Sequence, residues 1–313
     1  ELMVALAIGV SLSFGAMTLF LHSKRSQQQD QQLARLQENG RYALRYIAHE
    51  LAMAGFRATL PAAAPVTARL AGSGCFNYLL ETASPLGHID DADRDGRPGS
   101  RTAALPDDCR LAGRHQPGSD MLVSRRTVDS PVQRQGQLVN GIDGRAVYLH
   151  TDTAATGSPR VGSFLERGRS ADAAGMDLWE YAPQILLLRN YSLARGDGIP
   201  SLCRLRLSAS ANAMAPVQCL VEGIEDLQLE FGIDEDGDSE ADRFESSPGP
   251  AQLQGAVTAR IYLLVRSVYP VVGHRDERSY LLGNKSVAAA NDGYYRRVMQ
   301  TTVVLRNVPG LGS

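Results

Sequence analysis

The chain has little of what nucleic-acid binders and enzymes require. It has no basic surplus: 32 Lys and Arg stand against 34 Asp and Glu, for a formal net charge of −2. Polyphosphate backbones are held by excess positive charge, so nothing electrostatic favours nucleic acid as the main partner. The pairs Arg125–Arg126 and Arg296–Arg297 are too short to change that. No GxSxG, GxGxxG or phosphate-loop pattern occurs. GNKS at 283–286 has a Lys-Ser pair without the required upstream glycine spacing. His49–Glu50 opens like HExxH, but Met53 stands where the second histidine belongs, which excludes a zincin site. His88, His115, His150 and His274 are scattered. The chain is not expected to be an enzyme.

Cysteine is also scarce. The four are Cys75, Cys109, Cys203 and Cys219, with no CxxC and no histidine at zinc-finger spacing, so a zinc site is not expected. An even count permits three pairings. The sequential one, Cys75–Cys109 and Cys203–Cys219, closes the shortest loops and requires an oxidising compartment. Four free buried thiols are the alternative. In the sequential pairing, one bridge encloses most of an insertion over 57–115, rich in Ala, Pro, Gly and Asp and expected to be irregular. The other ties two neighbouring strands across SASANAMAPV.

What the chain does have begins at its start. LMVALAIGVSLSFGAMTLFL, residues 2–21, holds no charge and no proline, and about 20 such residues cross a bilayer as a helix. His22, Lys24 and Arg25 mark the polar boundary. The run exceeds the apolar region of a signal peptide and lacks a basic leader and an A-x-A cleavage site, so an anchor is expected. Helical spacing continues through Leu33, Leu36, Leu44, Ile47 and Leu51. Gly55 is the expected stop, and Gly40 a local weak point. One helix over residues 1–55 would be about 80 Å long. Its membrane-spanning half would cover 1–25 and its amphipathic half 26–56. Ala5, Gly9 and Ser13 form a small-residue face that lets helices approach closely in lipid.

Beyond residue 115 the period shortens to that of strands. MLVSRRTV (121–128), AVYLHT (146–151), ILLLRNYSLA (185–194), LCRLRLS (202–208), LQLEFGI (227–233), VTARIYLLVRSV (257–268) and RRVMQTTVVLRNV (296–308) are the candidates. The expected fold is α+β. A long N-terminal helix would pack its second half on an antiparallel sheet built from 116–313.

The densest charge lies in DEDGDSEADRFE, residues 234–245. Counted as a twelve-residue calcium loop, positions 1, 3, 5, 9 and 12 are Asp234, Asp236, Asp238, Asp242 and Glu245, and position 7, a carbonyl donor, is Glu240. Calcium takes 6–8 oxygens, which such a loop can supply. The glycine usual at position 6 is Ser239, and the flanks read as strand and breaker rather than as helices. A solvated acidic turn is the alternative reading. A fainter echo, DADRDGRPGS, offers Asp91, Asp93 and Asp95, with Thr102 where the closing glutamate belongs and Asp90 or Asp107 as substitutes. Magnesium fits neither loop as well, because it demands stricter geometry and keeps its waters.

A family resemblance unites these pieces. ELMVALAIGVSLSFGAMTLFL is similar to the N-terminus of type IV pilins and type II secretion pseudopilins. RLQENGRYALRYIAHELAMAGF, VEGIEDLQLEFGIDEDGD and YYRRVMQTTVVLRN resemble PilW-type minor pilins. The resemblance implies a type IV pilin-like fold, and a role for Glu1 in pairing with the N-terminal amine of a neighbouring subunit. It implies a minor pilin that primes assembly of a type IV pilus and sits at or near its tip. Its partners would be other minor pilins, the major pilin, a large tip adhesin and the inner-membrane assembly machinery. The head would be periplasmic before assembly and extracellular afterwards. A type II secretion pseudopilin and a membrane-anchored calcium-dependent adhesin are the alternatives.

Overall fold

The computed structural model describes residues 2–61, 64–99, 105–152, 162–169, 175–208 and 210–308. One helix, α1 (Leu2–Met53), opens the chain; at 1.5 Å per residue its 52 residues measure about 78 Å. Next come β1 (Thr67–Ala68), α2 (Gly74–Leu80), β2 (Leu86–Ala92), β3 (Ser119–Ser124), β4 (Gln133–Arg134), β5 (Gln137–Leu138), β6 (Val147–Thr151), β7 (Phe164–Arg167) and β8 (Asp177–Glu180). They are followed by β9 (Gln184–Arg189), β10 (Ser201–Arg206), β11 (Gln218–Glu222), β12 (Ile224–Ile233), β13 (Arg243–Glu245) and the short α3 (Pro250–Gln254). The last strands are β14 (Ala256–Arg266), β15 (Tyr280–Leu282), β16 (Lys285–Val287) and β17 (Arg296–Val304).

The body is mixed α and β, with its strands divided among several sheets where a single one was expected. Their orders are β1-β7-β6-β8-β4-β5, β11-β10-β9-β3-β2, β13-β12-β14-β17 and the ribbon β15-β16. Among the described residues every strand pairing is antiparallel except β1 with β7. In the five-stranded sheet the central strands β3 and β9 are buried on both faces, which explains the apolar runs MLV and ILLL within them. In β9, Leu186 and Leu188 join the core beneath α1, while Ile185 and Leu187 face a second core that contains Cys75, Cys109 and Cys203. Within 57–115 the described residues include α2 and β2, so that segment contributes a helix and a sheet strand.

Both sequential cysteine pairs are disulfides, Cys75–Cys109 and Cys203–Cys219. The second joins facing positions of β10 and β11. From their separations of 34 and 16 residues, loop-closure entropy makes them worth about 4 and 3 kcal/mol.

The second half of α1 rests on the four-stranded sheet through Leu36, Gly40, Ala43, Ile47, Leu51 and Ala54, all buried at steps of three and four. Leu33 stays more than a third exposed. Gly40, expected to be a weak point, is a close-approach point instead. A Cβ there would collide with Met299 Sδ of β17 and stand 3.0 Å from Val265 Cγ2 of β14. Gly55 ends the helical run with φ +82°, and its N–H donates to the Arg125 carbonyl at 2.9 Å. A Cβ at Gly55 would strike the Asn307 carbonyl oxygen.

The first half of α1 exposes Leu2, Met3, Leu6, Val10, Leu12, Phe14, Met17, Leu19 and Phe20. Among the described residues no helix is long and apolar enough to cross a membrane. The side chains of Val4, Ala5, Ala7, Ile8, Thr18, Leu21, His22 and Arg25 lie outside the described set, as does Glu1. The charge-free run over 2–21 is a property of the sequence.

Candidate functional site

The acidic loop hangs between β12 and β13 on the edge of the sheet that carries α1. Its backbone is wrapped around its own carboxylates. Asp234 accepts from the amides of Gly237 at 2.6 Å and Ser239 at 2.9 Å. Those amides, Gly237 first, hold the Asp234 carboxyl below the usual range. Asp236 accepts from Asp238 N, and Asp238 from Glu240 N. Ser239, at the position glycine usually fills, does take the left-handed conformation that position needs, with φ +70°. Carboxylate oxygens of Asp234, Asp236 and Asp238 lie within 4.8 Å of one another. These three residues suit a hard cation with oxygen ligands.

The remaining expected ligands are engaged elsewhere. Asp242 Oδ2 accepts from Glu235 N at 2.7 Å. Glu245 sits on β13, opposite Phe231, and accepts from Arg243 Nη1 at 2.8 Å. Arg243 also pairs with Glu235 at 2.6 Å. Glu240 is exposed at the tip. Asp234, Asp236 and Asp238 are thus the residues of this loop that could hold a calcium ion.

The second loop is arranged differently. Asp91 ion-pairs with Lys285 at 3.0 Å. Asp93 caps the amides of Asp95 and Arg97, both at 2.9 Å, which lowers its pKa, the Arg97 amide contributing most. Asp95 meets Arg97 at 3.5 Å and accepts from Gly113 N at 3.0 Å. Asp107 pairs with Arg110, and Thr102 lies outside the described residues. Asp91, Asp93 and Asp95 are not gathered as a metal site would need.

On the helix, Ser13 Oγ donates to the Gly9 carbonyl at 2.9 Å, and Gly9 stands in open space. Where α1 meets the body, polar contacts do the fixing. Glu50 is buried and takes a two-pronged contact from Arg126, at 2.8 Å from Nε and 2.7 Å from Nη2. Asn39 donates to the Glu222 carbonyl at 3.0 Å, and Tyr46 donates to Gln184 at 2.9 Å.

Sequence reasoning did not find Lys285, which also meets Asp226 at 3.0 Å and the Gly118 carbonyl. Nor did it find the buried pair of His88 Nε2 and Asp120 at 3.0 Å. These partners lie between 32 and 194 residues apart in sequence, as their numbers show, beyond any local pattern.

Residues 190–307 match the family described as Type IV Pilus-assembly protein W. The matched segment begins just after β9 and runs through β17, so it contains the acidic loop, the Cys203–Cys219 bridge and the entire four-stranded sheet on which α1 rests. Among solved structures, a type IV-like pilin from Thermus thermophilus is similar at 11% identity, covering 88% of this chain and 97% of that one, with a TM-score of 0.40. No curated protein matches the chain.

Proposed function

We propose that this chain is a minor pilin that primes assembly of a type IV pilus and stays at or near its tip. The observation that carries this reading is the PilW-type match over the sheet that bears the helix. It is supported by the apolar run over 2–21 and by the exposed apolar side chains of the first half of α1. In this reading residues 1–25 cross the inner membrane and then leave it by packing on the helices of other pilus subunits. Glu1 pairs with a neighbour's N-terminal amine, because a carboxylate near hydrocarbon needs a partner. The face of Ala5, Gly9 and Ser13 lets those helices approach. The head contacts other minor pilins, the major pilin and a large tip adhesin. Calcium held by Asp234, Asp236 and Asp238 stiffens the loop at the sheet edge and so shapes a partner surface.

Deletion of the gene is expected to abolish or sharply reduce surface pili, with purified fibres from the parent containing this chain in trace amounts. Normal piliation with lost adhesion would favour an anchored adhesin. Intact pili together with a secretion defect would favour a pseudopilin.

A further inference from the structure

The chain leaving β14 runs on past the four-stranded sheet along α1. Val265 lies beside Gly40, and further on the Tyr269 amide donates to Gln32 Oε1 at 3.5 Å. From Val265 to Tyr269 an extended chain covers about 13 Å, and from Gly40 back to Gln32 the helix covers about 12 Å. The chain therefore descends alongside α1 toward its N-terminus, and then it reverses. Ser267 donates its amide to the Tyr295 carbonyl at 2.8 Å, and its hydroxyl accepts from Tyr295 N at 3.1 Å. Val271 N donates to the Gly293 carbonyl at 2.7 Å, His274 N to the Val271 carbonyl at 3.1 Å, and Gly273 makes the bend with φ +82°. The turn over 268–273 is thus held in one shape. Across a groove from it stand Gln28, Gln29, Gln31 and Gln32 of α1.

What the turn presents is apolar. Tyr269 is 56% and Val272 81% exposed, whereas Val271 is buried and pins the turn to the body. Singly exposed apolar residues are ordinary on a protein surface; the height of these two along α1 decides their use. The apolar run ends at Leu21, and Gln28 stands about 10 Å further along the helix. The headgroup layer is about 5–8 Å deep on each side of the hydrocarbon. Tilting the helix toward the head by about 20°, the average for membrane helices, carries a turn on the order of 10 Å from its axis about 3 Å deeper. That brings the turn level with the headgroups. Tyrosine is favoured at this depth, because its ring is apolar and its hydroxyl stays wet. The local charge fits an anionic surface. Over residues 22–36, Lys24, Arg25 and Arg35 stand against Asp30 alone. The first charged residue after the turn is Arg275, 66% exposed and paired with Glu277 at 3.3 Å.

We propose that residues 268–273 form a membrane-docking turn. Tyr269 and Val272 seat in the headgroup layer of an anionic bilayer and hold the head against its surface while the chain is membrane-held. This inference rests on the reading above in which residues 1–25 cross the membrane.

The four native cysteines are all in disulfides, so one added cysteine takes a single environment-sensitive fluorophore. The full chain is reconstituted in vesicles of phosphatidylethanolamine and phosphatidylglycerol and labelled in turn at three positions. Val272→Cys reports on the turn and Leu12→Cys on the apolar run. Leu138→Cys is the control, 61% exposed on β5 in the six-stranded sheet, whose core packs on Phe56 past the end of α1. The Val272 label should emit to the blue of the Leu138 label, be quenched by a lipid with a nitroxide on its headgroup, and be shielded from aqueous iodide. These effects should shrink in vesicles of phosphatidylcholine alone. A Val272 label as open to iodide as the Leu138 label, with Leu12 shielded, would overturn the docking and leave the membrane reading standing. A Leu12 label open to iodide would overturn the membrane reading and this inference with it. Shielding of Val272 that arises only when other pilus subunits are added would give the turn to a protein partner, and would equally overturn the proposal.

Discussion

Arg126→Ala should be among the most damaging single changes in the head, although Arg126 lies in a short loop just after β3. It removes the only ion-pair partner described for Glu50, whose side chain is 2% exposed, while the Arg126 side chain is 13% exposed. Glu50 holds the guanidinium so firmly that the arginine pKa rises, the hydrogen bond to Glu50 contributing most. Stranding a buried carboxylate costs about 3–5 kcal/mol, whereas replacing both members by apolar groups of similar volume is often neutral. With an m-value of about 3 kcal/mol per molar urea, a loss of about 4 kcal/mol moves the unfolding midpoint down by about 1.3 M. Glu50→Leu with Arg126→Met should recover most of that loss. The assay is a double-mutant cycle by urea titration, followed by circular dichroism. A midpoint shift under about 0.3 M for Arg126→Ala would refute the reasoning, as would a double variant no more stable than the single one. Either result would mean that water reaches Glu50 and that the pair does not fix α1 to the body.

The remaining predictions concern acid, calcium and the helix seat. Burial pushes Asp226 up to about 6, partly opposed by Lys285, and pushes His115 down to about 4. Between about pH 4 and 6 the folded chain therefore holds more protons at Asp226, and acidification stabilises it. Between about pH 6.5 and 4 the unfolded chain holds more protons at His115, and acidification destabilises the fold; each slope approaches about 1.4 kcal/mol per pH unit. The two oppose each other, so Asp226→Asn should lose more stability than wild type from about pH 6 to 4.5 and His115→Gln should lose less, as read by thermal unfolding; parallel curves would contradict both assignments. Calcium at roughly 100 times its dissociation constant should stabilise the chain by about 2.7 kcal/mol, and Asp236→Ala with Asp238→Ala should abolish that gain in calorimetry, whereas Asp93→Ala should not. Gly40→Val should cost about 2–3 kcal/mol, as overpacking does, with Gly40→Ala milder because the Met299 thioether can swing aside; urea midpoints of the two variants check the order.

Much of the fold was written in local pattern. The spacing of Leu36, Ile47 and Leu51 announced the second half of α1, and Gly55 marked its end. The alternation in LCRLRLS and LQLEFGI located β10 and β12. What pattern could not convey was partnership between distant residues. LGHIDDA reads as polar turn sequence, yet it forms β2 because His88 is satisfied by Asp120 across the strand pair and Asp120 also accepts from Asp91 N and Leu229 N. Gly40 looked like a flaw because its value lies in Met299 and Val265, more than 200 residues away. The acidic loop illustrates the same limit. Its spacing brought Asp234, Asp236 and Asp238 together, but Coulomb attraction to Arg243 drew Glu245 aside, and Lys285 took Asp91 from the other loop.

Gly40 acts as a detent. Because a bulky side chain at that point would press the rod away from Met299 and Val265, sliding the rod along its bed by one turn would cost it its seat. From Gly40 to Leu2 is about 57 Å of helix at 1.5 Å per residue. A shaft indexed in this way holds every level along it at one height relative to its head.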